Sequence, residues 1–267
     1  MIVGACTECS DAERKIITHL MMKGFAAACH ELNVRLSGGH TILNPEFLIG
    51  GTVVGLSPDD KLVRPTGARE GDVLILTKPL GTQIISNVAQ WLEHAFLQRK
   101  GYGHVSPHCI KKWKQLVDVF GEEKLAQEVK ASRTKANQSM ARMNNIAANV
   151  MLKYNAHCCS DVTGFGILGH AQNLAELALT CVDFLIDLLP CWSAAVLVNT
   201  QVDFGLLRGT SPETSGGLLF AVDPSVQEEV LKELHGNGDY GFVVGKVVEG
   251  NGIAKVVDTA EVLKVDF

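Results

Sequence analysis

The residues best suited to chemistry form one stretch of this sequence, SDVTGFGILGH at positions 160–170. Asp161 precedes a turn containing Gly164 and Gly166, and the apolar period that follows predicts an amphipathic helix. A carboxylate offers hard oxygen ligands to a divalent cation, and glycines let a ligand approach the free N–H groups of a helix start. The stretch predicts a site for an anion or a metal phosphate. An ordinary glycine turn with an aspartate or threonine as helix cap fits the motif equally well.

Three further stretches combine glycines with polar groups. GGHT at 38–41 forms a second glycine turn. TKPLGT at 77–82 places Lys78 at the end of an apolar strand, where a cation beside a ligand crevice and a surface lysine both fit. SPETSGG at 211–217 joins an acid, two hydroxyls and a Gly-Gly turn ahead of a strand, and it predicts a close backbone approach.

Other kinds of site have weaker support. Gly164 to Gly169 matches the dinucleotide pattern G-x-G-x-x-G, with Asp183 where a ribose-binding acid would lie, but residues 156–161 predict a poor strand for such a fold. No P-loop pattern is present. Cys6 and Cys9 are half of a zinc site without a second pair, and Cys158 and Cys159 read as reactive thiols or, more simply, as small buried side chains.

The elements that must position these motifs alternate between helix and strand. Ser10 and Glu13 have capping-box spacing, and the apolar period after them predicts a helix from about Asp11 to His30. The remaining patterns predict helices over 84–96, 110–120, 136–154, 168–178 and 224–234, and strands over 47–55 (buried), 73–76, 181–186, 216–222, 241–248 and 254–257. The fold class is therefore α/β (α+β), a mixed sheet flanked by helices, with a breaker-rich segment at 57–72 as the domain boundary.

Composition narrows the classes of partner. The chain has 267 residues, a net charge of −5 and 46% hydrophobic residues, which predicts a soluble protein without a nucleic-acid or membrane partner. Its eight cysteines lack the density of a secreted disulfide framework. No signal peptide and no apolar run of membrane-spanning length is found, so a cytoplasmic location is expected.

Together, the motifs at 38–41, 76–82, 160–170 and 212–218 closely resemble those of the selenophosphate synthetase family, in order and in spacing. Residues 169–175 (GHAQNLA) are similar to the eukaryotic branch of that family. The resemblance covers essentially the whole chain. It implies a fold similar to that of aminoimidazole ribonucleotide synthetase, with residues 1–56 as the tail of an N-terminal ATP-binding domain, 57–72 as a linker and 73–267 as a C-terminal α/β domain.

The resemblance also implies a reaction. Selenide, ATP and water would give selenophosphate, orthophosphate and AMP, for selenocysteine synthesis, with Mg²⁺ ions bridging the phosphates and K⁺ as an optional further cation. Asp161 matches a magnesium-ligand aspartate, while Gly38, Gly39, His40 and Thr41 match a nucleotide-contacting turn. A homodimer is expected for the full-length family, and a monomer is the alternative for this chain.

One departure limits the carry-over from the family. The family's glycine-rich loop with a reactive cysteine or selenocysteine, its lysine and its further metal-binding aspartates have no match here, so no residue is nominated as catalytic. A truncated form of a longer enzyme is expected, with weak nucleotide binding and little or no turnover. A different ATP enzyme of the same superfamily and a non-catalytic regulatory homologue are the alternatives.

Overall fold

The computed structural model describes residues 1–102 and 105–266 and divides the chain into two compact units, Met1–Asp60 and Lys61–Phe267. Each unit combines a mixed sheet with helices, which confirms the predicted fold class. The predicted domain limits at 56 and 73 stay predictions, and each unit is described below by itself.

The first unit is a three-stranded sheet with one long helix. Its central strand β1 (Ile2–Cys6) is parallel to β2 (His40–Asn44) and antiparallel to β3 (Leu48–Gly50). Helix α1 (Asp11–Glu31) begins after Ser10, whose hydroxyl accepts the Glu13 N–H at 3.3 Å while the Glu13 carboxylate accepts the Ser10 N–H at 3.0 Å. The predicted helix and its capping box are confirmed.

The predicted buried strand at 47–55 is wrong. Only Leu48–Gly50 forms a strand, and Val53 and Val54 are 79% and 86% exposed. An apolar run specifies residues that suit a strand, but burial also needs a layer to cover them. Within this unit only β1 is largely buried, and α1 has no buried side chain.

The second unit is built on a six-stranded sheet. Its strands are β4 (Val73–Leu76), β5 (Cys158–Asp161), β6 (Val182–Trp192), β7 (Leu218–Val222), β8 (Phe242–Glu249) and β9 (Ala254–Val265). They lie in the order β5-β7-β4-β8-β6-β9, antiparallel except for the parallel pair β6 and β9. Although residues 156–161 predicted a poor strand, β5 forms, because an edge strand tolerates the partly exposed Ser160 and the exposed Asp161 at its end.

Helices cover both faces of this sheet. They are α2 (Thr82–Arg99), α3 (Pro107–Phe120), α4 (Glu122–Ala141), α5 (Asn145–Lys153), α6 (Gly166–Leu177), α7 (Ser193–Asn199) and α8 (Gln227–Gly236). Alternate residues of β4 point to opposite faces, so Leu74 and Leu76 join the larger core while Ile75 joins a smaller one with residues of α5 and α8. The core holds the strand ends in fixed positions.

The helix predicted over 136–154 is two helices. Helix α4 ends at Ala141, and Arg142 after it is extended, with φ −68° and ψ 128°. The apolar period runs through this break because both helices pack on the core, so periodicity alone does not reveal it.

Candidate functional site

Three of the polar motifs meet at one edge of the six-stranded sheet. Asp161, at the end of β5, is paired with Leu218, and Leu76, at the end of β4, is paired with Leu219. Since β7 is antiparallel to both strands, its first residues lie beside both of these ends. The segments at 77–82, 160–165 and 211–217 are therefore neighbouring loops.

Backbone hydrogen bonds lock these loops together. The Val162 N–H donates to Gly217 O at 2.9 Å, and the Glu213 N–H donates to Thr163 O at 2.9 Å. A Cβ atom at Gly216 would lie 2.0 Å from Val162 O, and one at Gly217 would lie 2.5 Å from the Lys78 nitrogen. The close backbone approach predicted at 216–217 is confirmed, and its partners are the other two motifs.

Asp161 presents its carboxylate at this edge. The residue is exposed, and in the described part of the chain its carboxylate takes part in no hydrogen bond or ion pair. Helix α6 begins without a side-chain cap, so the capping role considered for Asp161 or Thr163 is wrong. A carboxylate that is neither paired nor used as a cap is available to a ligand.

The single carboxylate of Asp161 limits the kind of metal site that can form at this edge. Residues 1–102 and 105–266 hold no group of three or more His, Cys, Asp or Glu side chains arranged for an ion. Mg²⁺ is commonly held by one or two carboxylates together with waters and substrate phosphates. Asp161 therefore fits as a protein ligand to magnesium carried by a nucleotide, and not as a self-contained metal centre.

His170 lies directly beneath the Asp161 turn. Its ring is buried, its Nε2 lies 2.9 Å from the Thr163 nitrogen, and its Nδ1 lies 3.2 Å from Ser160 Oγ. Burial lowers the pKa of His170 below its usual range, and the nearby Asp161 charge opposes that effect. Sequence reasoning gave this histidine no role, although its position nine residues after Asp161, on a helical face, was visible.

Glu213 anchors the start of α2. Its carboxylate accepts the Gly81 N–H at 2.6 Å, the Thr82 N–H at 2.9 Å and the Thr82 hydroxyl at 2.6 Å. Burial raises the pKa of Glu213 to about 7, against the opposing effect of those hydrogen bonds. The sequence placed this acid in a motif but did not reveal its partners, so its anchoring role was missed.

Lys78 is neither a crevice cation nor a surface lysine, so both interpretations of it are wrong. It is 2% exposed, and its Nζ donates to Arg142 O at 2.7 Å and to Ser215 O at 2.9 Å. Burial, with the nearby Arg142 charge, lowers the pKa of Lys78 to about 8. Lys78 therefore ties the break between α4 and α5 to the loop at 211–217.

The predicted nucleotide turn lies in the first unit. Gly38 lines a cavity of about 190 Å³ whose wall includes Arg35, and a Cβ atom at Gly38 would meet nothing within 4 Å. A Cβ atom at Gly39 would lie 2.9 Å from Met1 O. His40 and Thr41 are exposed and begin β2. Asp161 belongs to the second unit, and the roles of all five residues stay predictions.

The dinucleotide alternative is contradicted. Asp183 accepts the N–H groups of Asn251 and Ile253 at 2.7 and 2.9 Å, which anchors the β8–β9 connection. Strands β5 and β6 are not neighbours, so the glycine motif does not belong to a βαβ unit.

Cys158 and Cys159 do not suit nucleophilic attack. All eight cysteines are free, and burial raises the pKa of both Cys158 and Cys159 to about 12. A thiol with such a pKa is almost wholly protonated at neutral pH.

In the two described ranges, no helix is both long enough and apolar enough to cross a bilayer.

The chain matches a known protein family and curated relatives. The family described as AIR synthase related protein, C-terminal domain, matches residues 69–258. Selenide, water dikinase 2 of Mus musculus is 37% identical over 271 residues, covering 99% of this chain and 56% of that protein. The chain thus spans little more than half the length of this curated relative.

Solved structures share the architecture at low sequence identity. Thiamine-monophosphate kinase from Stenotrophomonas maltophilia K279a aligns with a TM-score of 0.60 and 15% identity, over 97% of this chain and 72% of that one. Hydrogenase maturation protein HypE in complex with ATP aligns with a TM-score of 0.55 and 16% identity, over 93% of this chain and 64% of that one. At such identities the likeness concerns the fold.

Proposed function

We propose that this chain, which belongs to the AIR synthase related protein family through its C-terminal domain, is a large part of a selenide, water dikinase. The proposed reaction converts ATP, selenide and water to selenophosphate, orthophosphate and AMP. The similarity to the mouse selenide, water dikinase along 99% of this chain carries the proposal. The kinase and HypE neighbours, at 15–16% identity, support the architecture only.

In this proposal five residues have assigned roles. Asp161 offers a carboxylate to Mg²⁺, which when bound neutralises phosphate charge, with K⁺ as an optional further cation. Gly38, Gly39, His40 and Thr41 contact the nucleotide, and the open space at Gly38 supports that role. Residues 1–56 correspond to the end of an ATP-binding domain, 57–72 to a linker and 73–267 to the C-terminal domain, in a cytoplasmic protein whose full-length form is a homodimer.

Few of the described carboxylates at this edge of the sheet are free to bind a metal, so we expect weak activity of the chain by itself. Asp161 is an exposed acid at the sheet edge, whereas the nearby Glu213 is buried against Gly81 and Thr82. A single carboxylate gives little binding energy for a metal and a polyphosphate that must shed water. We expect measurable but weak affinity for magnesium ATP and little turnover.

Asp161→Asn tests the metal role. The change keeps the shape of the side chain and removes its charge, so we expect the Kd for ATP with Mn²⁺ as the probe metal to rise by about tenfold or more. Calorimetry and the Mn²⁺ paramagnetic resonance signal measure it. Asp258→Asn is the matched control, an equally conservative change at an exposed carboxylate in β9. Equal affinity of both variants and the unchanged protein would exclude Asp161 as a metal ligand.

Phosphorus NMR with ATP, Mg²⁺, K⁺ and selenide tests the reaction. Selenophosphate, AMP and orthophosphate that disappear with Asp161→Asn would establish the activity and overturn the expectation of weak turnover. Metal-dependent ATP binding with phosphate transfer to another acceptor would favour a different ATP enzyme of the superfamily.

A non-catalytic homologue is the second candidate. The raised pKa values of Cys158 and Cys159, which keep both thiols protonated at neutral pH, favour it. An unchanged melting temperature with metal and ATP, together with no Mn²⁺ binding, would support this candidate over an enzyme.

A further inference from the structure

We propose that His170 is a positioning residue, whose neutral ring, with its proton on Nδ1, holds the turn that presents Asp161. The functional part of this inference rests on the proposed metal role of Asp161. The structural part, which concerns the ring and the turn, stands on hydrogen-bond geometry alone.

The partners of the ring assign its proton. The Thr163 backbone N–H can only donate, and it lies 2.9 Å from Nε2. Nε2 must therefore supply a lone pair, and the proton of the neutral ring is on Nδ1. A doubly protonated ring would place two donors against each other at this contact. The Thr163 hydroxyl, 3.2 Å from the same nitrogen, can donate to it as well.

The second nitrogen continues the chain of hydrogen bonds. Nδ1–H lies 3.2 Å from Ser160 Oγ and donates to it, and the Ser160 hydroxyl donates to Asp161 O at 2.9 Å. The ring thus holds the residue before Asp161 and the residue two positions after it. The Asp161 backbone lies between two points fixed by one side chain.

The ring is itself fixed by the core. His170 lies on α6, which is anchored by the buried Ile167, Ala171 and Leu174. The Phe165 ring covers it with the two ring centroids 5.7 Å apart. A Cβ atom at Gly169 would lie 2.5 Å from the Phe165 Cβ, so only glycine lets Phe165 occupy this place. The core therefore fixes the His170 ring, and the ring in turn fixes the Asp161 turn.

The same geometry excludes a Ser160–His170 nucleophile pair. A general base must accept the serine proton, but Nδ1 carries a proton and Nε2 is occupied by Thr163. The Ser160 hydroxyl gives its proton to a carbonyl instead. His170 therefore acts through Asp161 and not on a substrate.

Two measurements without ligand test the structural part. In ¹⁵N-labelled protein, long-range ring correlations at neutral pH should show a protonated Nδ1 and an unprotonated Nε2, with His170→Phe identifying the signals. A protonated Nε2 would overturn the assignment. Amide exchange of Thr163 should be slow in the unchanged protein and in His170→Gln, whose side-chain oxygen can accept the N–H, and at least tenfold faster in His170→Phe. Equal exchange in all three would overturn the proposed contact.

The affinity for ATP with Mn²⁺ tests the functional part. We expect His170→Phe to weaken it by about tenfold, as loss of a second-layer partner of a metal ligand does, and His170→Gln to stay within about threefold of the unchanged protein. Far-ultraviolet dichroism and melting temperature confirm that both variants fold. Two folded variants that bind as tightly as the unchanged protein, or that lose affinity equally, would overturn the positioning role. If the unchanged protein binds no Mn²⁺ with ATP, the proposed function fails, and Thr163 exchange still decides whether His170 holds the turn.

Discussion

Glu213 joins two segments that are distant in the sequence. It receives N–H donors from Gly81 and Thr82 at the start of α2, while its own N–H donates to Thr163 O. A carboxylate at a helix N-terminus satisfies donors that have no partner within the helix. One buried residue therefore fixes α2 and the Asp161 turn at the same time.

Replacing Glu213 with glutamine should destabilise the protein in a pH-dependent way. At pH 5 we expect a loss of about 1–3 kcal/mol in the free energy of unfolding, because the amide nitrogen of glutamine cannot accept a hydrogen bond, whereas both oxygens of the protonated acid keep lone pairs for the buried donors. The folded pKa of Glu213, about 7, lies above the ordinary glutamate pKa of 4.5. Its contribution is therefore complete below about pH 4.5 and declines as pH rises through 7, so the gap between the two proteins should narrow.

Urea unfolding of both proteins between pH 5 and 8 measures this gap. Glu128→Gln, at an exposed position in α4, is the control and should stay within about 0.5 kcal/mol of the unchanged protein. A gap that is constant with pH would contradict the raised pKa.

At the scale of single residues, the sequence indicated which residue types could bind a ligand, but not which residues contact one another. Asp161 was singled out because a carboxylate before a glycine turn is a local pattern, and its role stays a prediction. The partners of the Glu213 and Lys78 side chains were not found, since they lie 64 to 137 positions away and depend on strand pairing. A motif specifies residue types, but the pairing of the strands determines which of these residues come into contact.

At the scale of elements, the extended Arg142 separates α4 from α5 and frees a carbonyl that Lys78 binds. The same ammonium binds Ser215 O, and Ser215 Oγ donates to Met140 O. A helix end and a loop thus share one buried cation. The break is part of what holds the loop at 211–217 in place.

Lys78→Met should loosen this junction. Methionine fills the volume of the stem but leaves two carbonyls without their donor, so we expect a loss of about 1–3 kcal/mol in unfolding free energy and faster amide exchange at 214–217. Denaturant unfolding and hydrogen exchange measure the two effects. Lys124→Met, an exposed position in α4, is the control. Unchanged exchange at 214–217 would show that Lys78 does not hold the loop.

Element types followed from periodicity, while element limits and burial did not. The capping box located α1, and the apolar runs located β4 and β7. The break at Arg142 and the exposure of Val53 were not visible, because both depend on what packs against the segment. Local sequence patterns determine whether a segment forms a helix or a strand. Tertiary contacts determine where that element ends and how deeply it is buried.

At the scale of the whole molecule, the two units differ in how much core they contain. The Lys61–Phe267 unit has two clusters of buried side chains, one on each face of its sheet. The Met1–Asp60 unit buries mainly β1 and leaves Ile16, Leu20 and Leu43 exposed. Resistance to local unfolding should therefore differ between the units.

Limited proteolysis with an unspecific protease should cut first between residues 51 and 58. This segment has no helix or strand, and its residues are exposed, with Leu56 fully so. Mass spectrometry should then find a persistent fragment that begins near Lys61, because cleavage requires an accessible and extended chain. A first cut inside the Lys61–Phe267 unit would contradict the difference in core content. Denatured protein, cut throughout, is the control for protease preference.

Some of the hydrogen bonds that hold the three loops together join residues 131 to 141 positions apart, as between Glu213 and Thr82 or Leu218 and Thr77. Contacts of such sequence separation form late in folding, because closing a long loop costs entropy before any contact repays it. During synthesis the Asp161 turn leaves the ribosome well before the segment that completes it. The nascent chain therefore carries the Asp161 carboxylate through a period in which β7 does not yet hold the turn, and the cluster of loops becomes complete only when β7 inserts beside β5.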